Sequence, residues 1–511
     1  MVNKRTNYLI LAQKLTYFYM FVMSSIFIFW FTNFYYNITD SKYAFFSTIS
    51  VLFFAPICIL YILHVLEIKR YSNEKLSTII HWNKVDWFML LFLLSQVVTT
   101  VLSQYTKISL FGYVRHTGLI FSMLLVGTYF IVSKLYLQQQ SIVLMFLFSV
   151  SLTVIVGLLQ FFYIDPFHFL TYVSDYQGSL YLSTIGNINF FSAIICLSLT
   201  LSLGLFLFSE DKFSKCIYMI SIVINSLGLL ISNSDSGYFG IFCILLVMMF
   251  YSFKNIKYLK KFILEIIVFL STYKIFGIFI YFLKDFCRGI HSFSYFISYR
   301  SITLVLLLFC ILFYFFMDAY PNWIDNHLLK IRKWLMRFVL FFVIVVVSAI
   351  LYFSFVNTEM NIGPFANYLR YDDFWGTGRG MIWNNVLFSF SKLSLVHKLF
   401  GNGLDTTGQL LMSQFGNAMI RYDNAHNEMI QYLATIGIVG LGLYLSFIFS
   451  LVKKSVLIMK KEPYVFVLMC VVVCYVLQSI FNINQPTSTP LFYMFLGMLQ
   501  SFINMEEEED I

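Results

Sequence analysis

The chain has 511 residues, of which 59% are hydrophobic and only 12% are charged, and its formal net charge is +9. Soluble domains carry about a quarter charged residues, so this composition excludes an ordinary water-soluble protein. Apolar stretches of about 20 residues, the length of a membrane-crossing helix, follow one another from end to end. We therefore expect an all-α polytopic membrane protein.

Windows of about 19 residues predict about fourteen membrane spans, with both termini in the cytoplasm. Lys4 and Arg5 precede the first span as they would precede a signal peptide, but its apolar run reaches about Phe31 without a small-residue cleavage site. We therefore interpret it as a retained anchor. The predicted spans are residues 11–31, 43–67, 87–103, 118–137, 142–163, 185–208, 216–232, 236–253, 262–283, 300–318, 336–356, 431–452, 464–482 and 489–504.

The charged residues and the cysteines exclude further classes of function. With the N-terminus inside, most of the 34 Lys and Arg residues fall on the inner side, among them Lys75 and Lys261. The positive charge therefore indicates orientation against anionic inner-leaflet lipid, not a nucleic-acid surface. The eight cysteines form no CxxC pair and have no adjacent histidine. They are expected to pack as small hydrophobic side chains and to hold no metal.

The spans divide the chain into three parts. Residues 1–356 hold the first eleven spans, residues 357–430 form the one long outward loop, and residues 431–511 hold the last three spans and an acidic cytoplasmic tail that reaches Asp510. Long ordered loops are usually functional. Within this loop, residues 382–390 carry apolar side chains at helical spacing. They predict a short helix that either lies in the membrane interface or packs on the protein.

Two arginines predicted on the outer side are candidates for binding phosphate. Arg115 lies in residues 112–118, just before the fourth span, and Arg379 follows the glycine-rich residues 376–378. A guanidinium binds phosphate in a bidentate manner, and a helix N-terminus adds partial positive charge. The alternatives are a snorkelling arginine at 115 and a solvated arginine in a turn at 379. The glycines do not predict a nucleotide loop, because no GK[ST] follows them.

Asparagines and a histidine at two helix starts are the other candidates. Asn187 and Asn189 open the sixth span, where they could bind sugar hydroxyls or cap the helix. Asp423 or Asn424 is predicted to cap the helix that becomes the twelfth span, which places His426 in its first turn. The positive end of that helix favours the neutral imidazole that a base requires. A purely structural histidine is the alternative.

This last segment resembles the O-antigen ligase and Wzy-type O-antigen polymerase family, whose signature is a GxG segment and then an HN pair opening a helix that runs to G-x-x-G. The matching residues are Gly401-Asn402-Gly403, His426-Asn427 and Gly437-Ile438-Val439-Gly440. An outward R-x-x-G, a G-N-x-N helix start and a G-R-x-x-x-W precede them in the same order, at Arg115, Gly186 and Gly378. The family often has S-R-G after the seventh span, where this chain has Ser234-Asp235-Ser236-Gly237, so no phosphate role is carried to that turn.

The resemblance implies a metal-independent, inverting glycosyltransferase that needs no cofactor and acts at the outer face of the bacterial plasma membrane. Its donor would be a glycan linked to undecaprenyl diphosphate, and its acceptor a glycan or glycolipid, as in a polysaccharide polymerase or ligase. Arg115 and Arg379 would then hold the diphosphate and His426 would act as base. The implied substrate-binding residues are Asn187, Asn189, Trp383, Gly401, Gly403 and Asn427.

Two other classes stay open. A glycolipid transporter or flippase would also have many spans, and the ionisable residues Glu265 and Lys274 inside the ninth span favour transport. Internal repeats and broken helices, which are typical of transporters, are not evident. A noncatalytic scaffold that binds a glycan partner is the third class, and it predicts no activity when the protein is reconstituted alone.

Overall fold

The computed structural model describes residues 6–71, 82–171, 173–419 and 422–509. The predicted inner-side residues Lys4, Arg5 and Lys75, and Asp510 at the end of the tail, lie outside the described residues. The elements before residue 300 are α1 (Asn7–Ser24), α2 (Ile26–Phe29), α3 (Ile38–Tyr71), α4 (Lys84–Leu102), α5 (Thr106–Phe111), α6 (Leu119–Leu135), α7 (Gln140–Phe161), α8 (Asp175–Gly178), β1 (Tyr181–Leu182), β2 (Gly186–Asn187), α9 (Ile188–Phe208), α10 (Lys212–Ser232), α11 (Asp235–Ser252), α12 (Ile256–Phe282) and α13 (Ser292–Tyr299).

The second half begins with two long helices and ends with three. Its elements are α14 (Ser301–Ala319), α15 (Pro321–Leu351), α16 (Ala366–Leu369), α17 (Trp375–Ser391), α18 (Leu395–Phe400), α19 (Thr407–Phe415), α20 (Glu428–Ile458), α21 (Pro463–Gln478) and α22 (Thr489–Glu509). A single π-helical turn, Tyr352–Val356, extends α15. Short 3-10 turns lie at Lys284–Phe286, Gly363–Phe365, Gly416–Met419 and Ser479–Phe481.

Every predicted span coincides with a helix. Among the described residues, 12 helices are long and apolar enough to cross a membrane, and α6 is a shorter apolar helix. An all-α polytopic membrane fold is therefore confirmed, whereas the number of crossings and their direction stay predictions. The acidic tail, expected to be a solvated end, continues α22 as helix up to residue 509, and Glu507 pairs with Lys454 at 2.7 Å.

The centre of the bundle is α9, whose most apolar stretch is entirely buried. It packs against α10, α11 and α21. A Cβ on Gly204 of α9 would stand 2.7 Å from Val467 Cγ1 of α21, and a Cβ on Gly228 of α10 would stand 2.7 Å from Val154 Cγ2 of α7. Helices in membranes associate through such close contacts at small residues, because lipid supplies no hydrophobic drive between them.

The long loop is folded onto the bundle. Its helix α17 confirms the predicted helix at residues 382–390, and Ile382 and Val386 are buried against Leu410, Leu411 and Ala434. One face of this helix thus packs on the protein, and its position in the membrane interface stays a prediction. Other connections also contain secondary structure that hydropathy did not predict, including the helix α5, the antiparallel hairpin β1–β2 and the helix α13.

Candidate active site

The α20 helix begins later than predicted. Its N-cap is Asn427, whose side chain accepts from Ile430 N at 3.0 Å. Asn424 instead forms a local turn, in which its Oδ1 accepts from His426 N at 3.0 Å. The prediction that Asp423 or Asn424 caps the helix is therefore wrong, and so is the prediction that His426 lies in the first turn. His426 precedes the helix in a left-handed conformation with φ +48°.

His426 is partly buried between two arginines that are distant in sequence. Burial, together with the charges of Arg379 and Arg115, lowers the pKa of His426 to about 4, and the charge of Asp423 opposes them. Among the described residues, no partner donates to or accepts from its ring. The sequence predicted a neutral imidazole from the helix dipole. In the structure, burial and two nearby cations also favour the neutral form. The ring is free to accept a proton from a bound molecule.

Two carboxylates position Arg115, one through its guanidinium and the other through the backbone of its turn. Its Nε donates to Asp423 Oδ2 at 2.7 Å and its Nη2 donates to Oδ1 at 3.4 Å, a bidentate pair. Asp405 Oδ2 accepts from the backbone N–H of Tyr113 at 2.6 Å and of Thr117 at 3.3 Å, which fixes the turn that carries Arg115. Burial raises the pKa of Asp405, and these hydrogen bonds counteract it. Sequence reasoning missed the role of both carboxylates.

Arg379 is positioned by the glycine-rich segment. Gly376, Thr377 and Gly378 have φ of +57°, +64° and +92°, so the chain turns sharply and the guanidinium Nη1 donates back to Gly376 O at 3.2 Å. Burial lowers the pKa of Arg379, and the charge of Asp235 opposes that effect. The segment is a turn that presents an arginine, and that arginine is half-buried.

Trp383 fixes the backbone next to His426. Its Nε1 donates to Ala425 O at 3.0 Å. Its ring lies 5.1 Å from that of Trp375 and 6.2 Å from that of Phe481. The indole N–H that could have donated to a sugar hydroxyl thus already donates to the protein backbone. Trp383 therefore holds the segment that carries His426.

Gly401 and Gly403 are buried where the loop crosses α20. Asn402 N donates to Ala434 O at 3.1 Å and Gly403 N donates to Thr435 O at 3.0 Å. A Cβ on Gly401, which has φ +84°, would stand 2.1 Å from Thr435 O. The GxG segment therefore contacts helix backbone, and only glycine allows the two chains to approach so closely.

The helix kinks at this crossing. Gly437 has φ +71°, and a Cβ there would stand 2.3 Å from Leu399 O. The two glycine signatures of the resemblance, GxG and G-x-x-G, therefore meet at one backbone junction.

The asparagines of α9 belong to a neighbouring polar cluster. Asn187 caps α9 by accepting from Asn189 N at 2.9 Å, as its alternative interpretation predicted. Asn189 Oδ1 accepts from Ser234 Oγ at 2.8 Å, and the next residue, Asp235, accepts from Tyr368 Oη at 3.3 Å. Asp235 links this cluster to the site, because its charge acts electrostatically on Arg379.

No family model matches the chain, and no curated protein matches it. Within the described ranges, no group of three or more His, Cys, Asp or Glu side chains is arranged to hold a metal ion.

Proposed function

We propose that this protein is a membrane glycosyltransferase. It moves a glycan from an undecaprenyl-diphosphate-linked donor to a sugar hydroxyl at the outer face of the bacterial plasma membrane, as a polysaccharide polymerase or ligase. The observation that carries the proposal is the convergence of Arg115, Arg379 and His426. These residues come from three distant segments, and both cations act electrostatically on one neutral imidazole, which has no hydrogen-bond partner in the described ranges.

The two arginines supply what a diphosphate leaving group needs. Asp423 occupies Nε and Nη2 of Arg115, but its Nη1 has no hydrogen-bond partner among the described residues. Within the described part of the chain, Arg379 donates only from Nη1, and only to a backbone carbonyl. Both retain donors for phosphate oxygens. Negative charge accumulates on the diphosphate as its bond to the sugar breaks, so these donors stabilise the transition state more than the bound donor.

His426 completes the displacement. The acceptor hydroxyl oxygen attacks the anomeric carbon, the bond from that carbon to the diphosphate oxygen breaks, and the diphosphate keeps the electron pair. The hydroxyl proton passes to His426, and the sugar inverts because attack and departure are on opposite faces. A positioned general base contributes about 10²- to 10⁴-fold to the rate.

The test is transfer by the purified protein in lipid nanodiscs, with an undecaprenyl-diphosphate-linked oligosaccharide as donor. We expect His426→Ala to lower the transfer rate by about 10²- to 10⁴-fold while donor binding persists. His291→Ala is the matched control, because His291 is an exposed histidine outside this site. A parent protein that leaves donor and acceptor unchanged, or a His426→Ala variant as fast as the control, contradicts the proposal.

Transport of a glycolipid is the second candidate function, and Glu265 favours it. This residue of α12 is fully buried, and neither carboxyl oxygen has a hydrogen-bond partner among the described residues. Lys274 gives no such support, since its Nζ donates to Ser298 O at 3.0 Å and Arg300 O at 2.6 Å and so completes the end of α13. Movement of a labelled glycolipid across proteoliposomes, lost in Glu265→Gln but kept in His426→Ala, would favour transport.

A further inference from the structure

A cavity lies at the N-terminal end of α3, outside the candidate active site. It has a volume of about 470 Å³, in the range of sites that hold drug-sized ligands. Its walls come from the connection between α2 and α3 and from the first turns of α3, and no residue of the candidate active site lines it. We call it the α3 groove.

One end of the α3 groove is polar. Asn37 Oδ1 accepts from Thr32 Oγ1 at 3.3 Å and from Asn33 N at 3.1 Å, whereas its Nδ2 has no partner among the described residues. The side chain of Asp40 is 59% exposed. An amide donor and a carboxylate acceptor are thus presented together, a combination that suits hydroxyl groups, each of which both donates and accepts.

The rest of the α3 groove is mostly apolar, with the hydroxyl of Thr48 between Phe45 and Ile49. Trp30 is 39% exposed, and its ring lies 4.8 Å from that of Phe45. Ile49 lies about 13 Å further along the helix axis than Asp40, as their spacing along α3 requires. Ala44 in the wall is exposed, so the groove is open at its side. A polar end above an apolar channel fits an amphiphile that enters from the bilayer.

The charge of the α3 groove selects among amphiphiles. Asp40 is its one charged lining residue, and no described residue in its wall is basic. Lys42 on the same helix is fully buried, and its Nζ donates to Phe27 O at 2.6 Å and Ile28 O at 2.8 Å. A phosphate headgroup would meet the Asp40 carboxylate, whose Oδ1 already contacts His116, and would find no basic side chain in the groove wall. The groove therefore favours a neutral sugar headgroup over the diphosphate of the donor.

The α3 groove is joined to the candidate active site through two consecutive residues. His116 Nε2 lies 2.6 Å from Asp40 Oδ1, and its ring stacks on Tyr43 with centroids 4.6 Å apart. The preceding residue, Arg115, pairs with Asp423 beside His426. A headgroup at the polar end therefore lies next to the turn that carries Arg115.

From this geometry we infer that the α3 groove binds the acceptor, and that the acceptor is a neutral glycolipid. The role of this glycolipid as acceptor rests on the proposed function, but its binding in the groove can be measured without glycan transfer. The chain would then be a ligase-type enzyme that holds donor and acceptor lipids on opposite sides of one turn. The donor phosphate contacts arginines, and the acceptor sugar contacts Asn37 and Asp40.

Photolabelling tests the α3 groove in the full-length protein in nanodiscs. The chemical probe is an alkyl β-glucoside with a diazirine in its alkyl chain, and labelled peptides are identified by mass spectrometry. We expect labelling within residues 30–49, and we expect competition by unlabelled alkyl glucoside but not by phosphatidylglycerol. Ala44→Phe fills the groove and should lower this labelling about tenfold or more. Val51→Phe is the matched control, because Val51 is 59% exposed on the same helix and does not line the groove.

Charge reversal provides a second arm. In Asp40→Lys, phosphatidylglycerol should become an effective competitor. Labelling that is equal in Ala44→Phe and in the control, or competition by phosphatidylglycerol in the parent protein, overturns the groove assignment even where transfer is active. Specific groove labelling in a protein that transfers no glycan overturns the proposed function and leaves a neutral-glycolipid site. Support for both requires that Ala44→Phe raise the KM for a lipid-linked acceptor without changing the KM for the donor.

Discussion

Donor binding should strengthen His426 as a base. In the free protein, burial and the charges of Arg379 and Arg115 hold the pKa of His426 at about 4. A diphosphate bound to both arginines offsets their positive charge and adds its own negative charge. One unit charge about 7 Å away, at an effective dielectric constant of about 20, changes a pKa by roughly 1 to 2 units. The pKa of His426 should therefore rise by about that amount in the donor complex.

The pH dependence of transfer measures this rise. The base works when neutral, so the rate is full above its pKa and falls as pH drops through it. The acid limb of kcat/KM for the donor reports the free protein and should lie near pH 4, whereas the acid limb of kcat reports the complex and should lie about 1 to 2 units higher. Initial rates from about pH 3 to pH 8, at low and at saturating donor, give both limbs. Coincident limbs, or an unchanged limb in the residual activity of His426→Ala, would refute the reasoning.

The remaining predictions concern the arginines, the kink and the topology. Arg115→Ala and Arg379→Ala should each weaken donor binding, and lysine should restore it only in part because the bidentate fork is lost; unchanged donor affinity in the double Ala variant removes both from the mechanism. Gly437→Ala should destabilise the fold by about 2–4 kcal/mol, measured as a lower Tm in detergent, whereas Gly442→Ala, which has open space around it, should be near neutral. A single cysteine at Gln414 in a cysteine-free background should react with an impermeant thiol reagent in intact cells, and protection there would invert the topology.

The sequence predicts the membrane helices well because their signal is local. A window of apolar residues has the length and hydropathy of a span wherever its neighbours lie, and each predicted span indeed coincides with a helix. The start of α20 was less predictable, since Asn424 and Asn427 are both good caps. The structure uses Asn424 in a turn and Asn427 as the cap. Nothing in the local pattern distinguishes these two uses.

Sequence reasoning found three residues of the candidate site but neither their contacts nor their counter-charges. Arg115 stands out because it lies on the predicted outer side, against the positive-inside trend. Arg379 stands out because it follows a glycine-rich segment in the outward loop, and His426 because it belongs to the HN pair at a helix start. Asp405 and Asp423 were not predicted to hold Arg115, because pairing across some 300 residues leaves no local pattern. Their only signal was their position, just after the GxG segment and just before the HN pair. The roles of Gly401 and Gly403 also depend on the kinked part of α20, which the GxG motif itself does not reveal.

The junction between the GxG segment and the kinked helix has a consequence for biogenesis. The carbonyls of Ala434 and Thr435 are freed by the kink at Gly437, and the N–H groups of Asn402 and Gly403 bind them. In hydrocarbon, an unpaired carbonyl costs several kcal/mol. We therefore expect α20 to adopt its kinked form in the bilayer only when the GxG segment is in place. The loop precedes α20 in the chain, and on the predicted topology it is exported first. On that topology, the segment that pairs with these carbonyls is exported before the helix whose kink it completes.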